Sequence, residues 1–239
     1  MIKTIDSLRY TGRMSNEHEQ QLRQLLHVFL EENAKINLSA LRTEEQCWIG
    51  NIQDSLAVLN VLPSLFPEQE NLHILDMGTG GGFPLLPLAI CLPNAQLTGL
   101  DSTNKKLEAI KRIQQPLGLK NVTLLAGRAE GLGQQKEYRE TFDVVMSRAV
   151  ASLSTLLEYC SPFVKPKGYV VVWKSLHAEE EFEQSKEAQR KLQLQFIQAH
   201  TYTLTEPYGQ RQLLIFRKNT LLPKLYPRAV GVPKKEPLR

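Results

Sequence analysis

The sequence predicts an α/β fold: a mostly parallel, seven-stranded sheet with an antiparallel C-terminal hairpin, preceded by a small helical subdomain. Three observations predict it. Between His73 and Trp173 short apolar runs alternate with helical patterns, an order that demands crossovers and therefore parallel pairing. Two further apolar runs flank the turn Pro207-Tyr208-Gly209, as a closing hairpin requires. Before Asn71 the apolar residues recur only at helical spacing.

The elements follow in chain order. Asn16 to Asn33 reads as a helix capped by Asn16 with Glu19 three positions on, with Leu22, Leu25, Leu26, Phe29 and Leu30 on one face. A second helical stretch, Glu44 to Leu62, runs up to Pro63 and a polar loop. Strands are expected at His73–Met77, Gln96–Leu100, Val122–Leu125, Phe142–Ser147 and Gly168–Trp173, with helices at Pro84–Cys91, Asn104–Gln115 and Leu153–Tyr159 between them. A charged helix, Ala178 to Leu192, precedes the hairpin strands Phe196–Leu204 and Gln212–Arg217. Beyond Lys218 the prolines Pro223, Pro227, Pro233 and Pro237 suggest an extended tail without regular structure. The organisation is thus a helical part over residues 1–70, an α/β domain over 71–218 and a basic tail over 219–239.

With 239 residues and 42% hydrophobic content, the chain can bury a sizeable core. No stretch approaches the roughly 18 apolar residues of a membrane span, and Met1 to Tyr10 contains no apolar leader core, so a cytoplasmic protein is expected. Cys47, Cys91 and Cys160 are odd in number and widely spaced, which points to reduced thiols and no structural metal. The net charge is +4, but from Thr201 onward eight basic residues face two acids. Such a tail suits phosphate contact as well as plain solvation.

The chemistry concentrates at Ile74-Leu75-Asp76-Met77-Gly78-Thr79-Gly80-Gly81-Gly82-Phe83-Pro84, a strand running into glycines and then a helix. Gly78, Gly80 and Gly82 let the backbone approach a ligand at the strand's C-terminal end, where open α/β sheets bind. The dinucleotide pattern would place its third glycine at position 83, where this chain has Phe83. GxGxG preceded by Asp76 resembles instead the Rossmann-like S-adenosylmethionine-dependent methyltransferases. Asp101 ends the second strand about 20 residues further on, where a carboxylate accepts both ribose hydroxyls, although it also suits a helix cap. After the third strand, Ala129 and Glu130 fall where the adenine edge is read.

After the fourth strand the chain has Ser147-Arg148-Ala149, not the polar-Pro-Pro-aromatic sequence of enzymes that methylate exocyclic amines. None of the cysteines sits in a Pro-Cys loop, so carbon-5 pyrimidine chemistry lacks its nucleophile. Several motifs agree in order: Asn37-Leu38-Ser39-Ala40-Leu41-Arg42, Asp54-Ser55-Leu56, the glycine loop with Phe83-Pro84, Leu100-Asp101-Ser102, Ser147-Arg148-Ala149, and Tyr226-Pro227-Arg228 with Gly231-Val232-Pro233-Lys234-Lys235. From about Ile36 onward the chain therefore resembles the bacterial RsmG (GidB) family. Two departures stand out: Asn51 replaces the family's histidine three residues before Asp54, and Leu85 replaces a glycine after Pro84.

The resemblance implies methyl transfer from S-adenosylmethionine to N7 of a guanine in 16S ribosomal RNA, free or in a precursor of the small subunit; a monomer is expected, since no long apolar surface pattern demands a dimer. It implies a donor site of Asp76, Gly78, Gly80, Gly82, Phe83, Asp101, Ala129, Glu130 and Arg148. Arg148 is the candidate catalytic residue, contacting guanine O6 or a flanking phosphate. Asn37, Arg128, Lys174 and Arg211 are the implied RNA-side residues. Each has a plainer reading: Asn37 as a turn former, Arg128 and Arg211 as surface ion-pair partners, and Lys174 as a solvated strand-end lysine. The basic tail, with Lys105, Lys106, Lys111 and Arg112, is expected to attract phosphates. Two readings stay open at this point: a methyltransferase of small molecules or proteins, and a nucleotide-binding module without catalysis.

Overall fold

The computed structural model describes residues 15–67, 71–148, 151–176 and 178–239; the expectations for the N-terminal segment and for Ala149 lie outside these. Helix α1 (Asn16–Ile36) begins one residue earlier than the capping argument placed it. Ser15, not Asn16, is the cap: its Oγ accepts from the His18 amide at 3.1 Å. Leu22, Leu25, Leu26 and Phe29 form the buried face, which continues in polar form as Glu32 and Asn33. Asn33 spends its amide on the chain that turns back beside the helix, accepting from Ser39 N and donating to Leu41 O, each at 2.8 Å.

The single helix expected over Glu44–Leu62 is broken. It comprises α2 (Glu44–Cys47), a π-helical turn (Trp48–Gln53), α3 (Asp54–Leu56) and a 3-10 turn (Ala57–Asn60), followed by α4 (Leu62–Leu65). Apolar spacing reports the buried face of such a stretch but not where the hydrogen-bond ladder widens, and π turns of this kind gather at functional positions. The widened turn is crowded: a Cβ on Gly50 would lie 2.7 Å from both Leu41 and Tyr208.

The seven strands are β1 (His73–Met77), β2 (Gln96–Asp101), β3 (Val122–Ala126), β4 (Phe142–Ser147), β5 (Val164–Ser175), β6 (Leu194–Thr203) and β7 (Gln210–Lys218), in the spatial order β3-β2-β1-β4-β5-β7-β6. The first five pair in parallel, and β7 runs antiparallel to both β5 and β6. Connecting them are α5 (Leu85–Cys91), α6 (Asn104–Gln114), α7 (Ala129–Leu132), α8 (Leu153–Cys160), α9 (Glu179–Gln184) and α10 (Lys186–Lys191). The charged helix expected over Ala178–Leu192 is split at buried Ser185, whose Oγ donates to Phe182 O at 2.7 Å and accepts from Gln189 at 2.9 Å.

Strand side chains alternate between two cores, as a sheet covered on both faces requires. Ile74, Val144, Met146, Val171 and Ile215 join one with α1, α5 and α6; Leu75, Val145, Val170, Val172 and Phe216 join the other with α8. The tail departs from the expectation of an extended segment. It carries a turn of helix, α11 (Val232–Lys235), and its Leu222, Tyr226 and Leu238 are buried in the second core. Proline content reports lost backbone donors, and here side chains supply the hydrogen bonds: Arg139 donates to the carbonyls of Leu222 and Tyr226. Among the described residues no helix is long and apolar enough to cross a membrane.

Candidate donor cleft and adjoining cavity

Strand order reverses between β1 and β4, and the loops leaving those strands open a crevice at their C-terminal ends, the position where such sheets hold ligands. The glycine loop is shaped for it. Gly78, Gly80 and Gly82 all have positive φ, +75°, +58° and +89°. The amides of Gly78 and Thr79 donate to Leu100 O at 2.9 and 3.0 Å, pinning the loop to β2. Gly82 tolerates no side chain, since a Cβ there would lie 2.8 Å from Leu86 in a backbone region that L residues rarely adopt. Gly82→Ala is therefore expected to cost about 2 to 4 kcal/mol through strain and overpacking, read by denaturant melts. An unchanged midpoint would show that the loop relaxes freely.

Two carboxylates frame the loop. Asp101 accepts from Gly80 N at 3.0 Å through Oδ2 and from Thr103 N at 2.8 Å through Oδ1. It thus does some of the work of a helix cap, yet a carboxylate offers about four acceptor sites, and two remain for a ligand. Asp76, 2% exposed, is unlike it: neither of its oxygens has a partner at hydrogen-bonding geometry, and nor does the Thr79 hydroxyl. Burial pushes the Asp76 carboxyl up to about 6, against the lowering influence of the nearby Thr79 hydroxyl, the Arg148 charge and the Leu85 amide, none of which meets a carboxylate oxygen at full hydrogen-bonding geometry. A buried carboxylate without a partner is costly, and a cationic ligand reduces that cost.

The cleft itself, about 260 Å³, is lined by Gly78, Asp101, Arg128, Ala129, Glu130 and Ser147, with Thr155, Tyr159 and Lys234 on the far side. A larger groove of about 760 Å³ runs along α6 and β3, but no residue of the glycine loop, Asp76 or Asp101 lines it, so it is no candidate for this chemistry. Phe83, expected at the donor, is turned into the core; its ring meets Phe29 edge-on at 4.8 Å and carries the Arg148 guanidinium 5.9 Å away. Glu130 is 5% exposed, and its Oε1 accepts from Gly231 N at 2.9 Å.

A second cavity, about 580 Å³, adjoins the cleft through the shared Ala151 and is lined by Asp54, Arg148, Trp173, Lys174, Tyr202 and Arg211 among others. Arg148 is held by the π turn: Nη1 donates to Gly50 O at 2.8 Å and Asp54 Oδ2 at 3.0 Å, and Nη2 donates to Asn51 Oδ1 at 3.1 Å. Tyr202 donates to Asp54 Oδ1 at 2.5 Å, and Trp173 Nε1 to Asp54 O at 3.0 Å. Burial and this carboxylate raise the Tyr202 phenol, keeping it a neutral donor. Arg211 Nε and Asn51 Nδ2 are buried without a partner.

The remaining expected residues fall as follows. Lys174 is not a solvated strand end: its ammonium donates to Ala151 O at 2.7 Å and pairs with Glu181 at 2.8 Å. Asn37 caps α1 in the left-handed region, φ +53°, and accepts from Arg42 at 2.5 Å, which makes it a turn former. Arg128 is exposed on the cleft rim. From the sequence, Asp54, Trp173 and Tyr202 have no assigned role, and Lys234 has only that of a phosphate-attracting tail residue. Asp54-Ser55-Leu56 was visible as a motif, but only the fold brings it to Arg148. Among the described residues no cluster of His, Cys, Asp or Glu is arranged to hold a metal ion.

Comparison with known proteins places these features in context. Residues 18–214 match the family model GidB, described as rRNA small subunit methyltransferase G. Ribosomal RNA small subunit methyltransferase G of Brevibacillus brevis is 36% identical over 94% of this chain and 93% of its own length. The protein of the same name from Lactococcus lactis subsp. cremoris is 39% identical over 95% of this chain and 94% of its own. Two solved structures share the fold at low identity. The precorrin-6y C5,15-methyltransferase of Geobacter metallireducens has a TM-score of 0.51 at 15% identity, over 77% of this chain and 92% of that one. M. jannaschii TYW2, solved in complex with AdoMet, gives 0.50 at 16% identity, over 68% of this chain and 76% of that one.

Proposed function

Since the chain belongs to the GidB family of small-subunit ribosomal RNA methyltransferases, we propose that it transfers a methyl group from S-adenosylmethionine to N7 of a guanine in 16S ribosomal RNA, as a cytoplasmic monomer. The observation that carries the donor assignment is Asp76, buried with both oxygens unpartnered at the base of a positive-φ glycine loop. Asp76 is not in the lining of the cleft but directly precedes the lining residues Met77 and Gly78, and its charge draws the positively charged end of the donor; the free acceptor positions of Asp101 take the ribose hydroxyls, and Ala129 and Glu130 border the adenine. Gly78 keeps the cleft wall free of a side chain, while Gly80 and Gly82, outside the lining, shape the loop through their positive φ. When bound, the donor supplies an electrophilic methyl on a sulfonium.

Guanine N7 carries an in-plane lone pair and loses no proton on attack, so the chain has to supply no general base. Its task is orientation, which contributes roughly 7 to 11 kcal/mol in well-aligned reactions. The cavity beside the cleft suits that task, with Trp173 and Tyr202 in its wall and the unpartnered Arg211 Nε as a donor for an acceptor edge. Arg148 holds the π turn against β4, and its remaining N–H groups face O6 or a flanking phosphate. Arg128 and the exposed Lys105 and Lys111 present charge to the phosphates.

The test is transfer of labelled methyl from S-adenosylmethionine to small-subunit RNA and to the assembled subunit, followed by mapping of the modified base. A single N7-methylguanine in 16S RNA is expected. Label on a small molecule or a protein, or no label, overturns the assignment.

A further inference from the structure

The stretch Gly231-Val232-Pro233-Lys234-Lys235 stands out in the sequence, and methyl transfer as described gives it no task. The structure brings it to the donor cleft, where Lys234 lines the wall beside Thr155 and Tyr159. Two cleft residues hold it directly. Glu130 accepts from Gly231 N at 2.9 Å, and Thr155, 2% exposed, donates to Pro233 O at 3.0 Å. Behind them Arg228 grips the fully buried Glu158 with its backbone amide and both sides of its guanidinium, at 2.7 to 3.1 Å. Charge-assisted pairs of this kind are the strong ones, and this pair ties the tail to α8. Leu222, Tyr226 and Leu238 share a core with Leu100, Ala129 and Leu156, and those three also line the cleft. The residues that seat the tail and those that line the cleft thus overlap at Glu130, Thr155, Leu100, Ala129 and Leu156.

We propose that Gly231–Lys235 form a wall of the S-adenosylmethionine pocket, with Lys234 as a positioning residue for the donor, so that donor binding and tail docking stabilise each other. The inference rests on the reading of the cleft as the donor site. A ligand that meets this wall only when the tail is docked must favour the docked state, and the docked tail raises the ligand's affinity by the same factor. The charge inventory agrees. Arg228 of the tail, and Lys218 at the end of β7 just before it, are neutralised internally by Glu158 and Glu140 and are not offered to RNA phosphates.

Hydrogen exchange of the full chain, with and without saturating S-adenosylmethionine, tests the coupling, and calorimetry of Lys234→Met tests the residue. Lys234 is exposed, so the substitution leaves the fold intact, which a melting curve verifies. The amides of Val232, Lys235 and Glu236, bonded to Ala229 O, Gly231 O and Val232 O within the tail, are expected to exchange at least about tenfold more slowly with donor bound. Lys234→Met is expected to bind the donor about five- to tenfold more weakly at an unchanged melting temperature. Donor uptake without slower exchange overturns the coupling, and wild-type affinity in Lys234→Met overturns its role; both leave the reading of the cleft standing. No donor uptake by the wild type overturns that reading together with the inference.

Discussion

Replacing Asp76 with asparagine is expected to stabilise the ligand-free protein while abolishing its hold on the methyl donor. Burial raises this carboxyl from 3.8 to about 6, so at neutral pH the folded chain carries a charge that costs it about 3 kcal/mol. The sign follows from proton binding. Between pH 3.8 and 6 the folded state binds more protons than the unfolded one, so stability falls as pH rises through that window and the penalty is complete above it. Asparagine removes the charge but leaves an amide to be satisfied, which reduces the gain to about 1 to 2 kcal/mol, or about 2 to 8 °C in melting temperature at pH 8. Donor affinity moves the other way. A sulfonium ligand needs the ionised carboxylate, so wild-type affinity should fall up to tenfold per pH unit below about 6, and Asp76→Asn should bind at least about a hundredfold more weakly with that pH dependence gone. Calorimetry and thermal melts across pH 5 to 8 check both signs. A variant that melts lower, or that binds the donor as wild type does, refutes the assignment.

The sheet was legible because each strand side chain chooses one of two cores, and an apolar run such as Phe142 to Ser147 has no other use. Strands β1 and β4 run as expected to the residue. The glycine loop was legible because positive φ at three alternate positions admits few other residues. Hidden were the features whose partners lie far along the chain. The π turn at Trp48–Gln53 widens where Gly50, Asn51 and Asp54 meet Arg148, and nothing in the local apolar spacing encodes that meeting. Asn51 illustrates it: as a departure from the family's histidine it looked like a loss, yet its Oδ1 accepts from Arg148. Lys174 and the tail were misjudged for a related reason, since a lysine or arginine in a polar stretch reads as solvated until Glu181 or Glu158 is seen beside it.

Arg148→Ala is the substitution expected to cost the most in both stability and activity. The guanidinium bridges the π turn to the end of β4 through three acceptors, Gly50 O, Asn51 Oδ1 and Asp54 Oδ2, and its side chain is only 21% exposed. Removing it leaves the Asp54 carboxylate, among the described residues, with Tyr202 as its one remaining side-chain donor and strands a carbonyl and an amide oxygen. Breaking a buried pair on one side costs about 3 to 5 kcal/mol, because the surviving charge stays desolvated. Lysine keeps the charge but cannot reach three acceptors with one ammonium, so Arg148→Lys should recover less than half of that loss. If the pair is the source of the cost, Arg148→Ala combined with Asp54→Ala should fall short of the sum of the single losses by more than about 1 kcal/mol. Methyl transfer should drop at least about a hundredfold in Arg148→Ala even at temperatures where it stays folded, since the cavity wall that orients the base loses its frame. Denaturant melts of the four proteins and single-turnover transfer to small-subunit RNA separate the two effects. A folded Arg148→Ala that methylates at the wild-type rate would make the cluster a purely structural clasp.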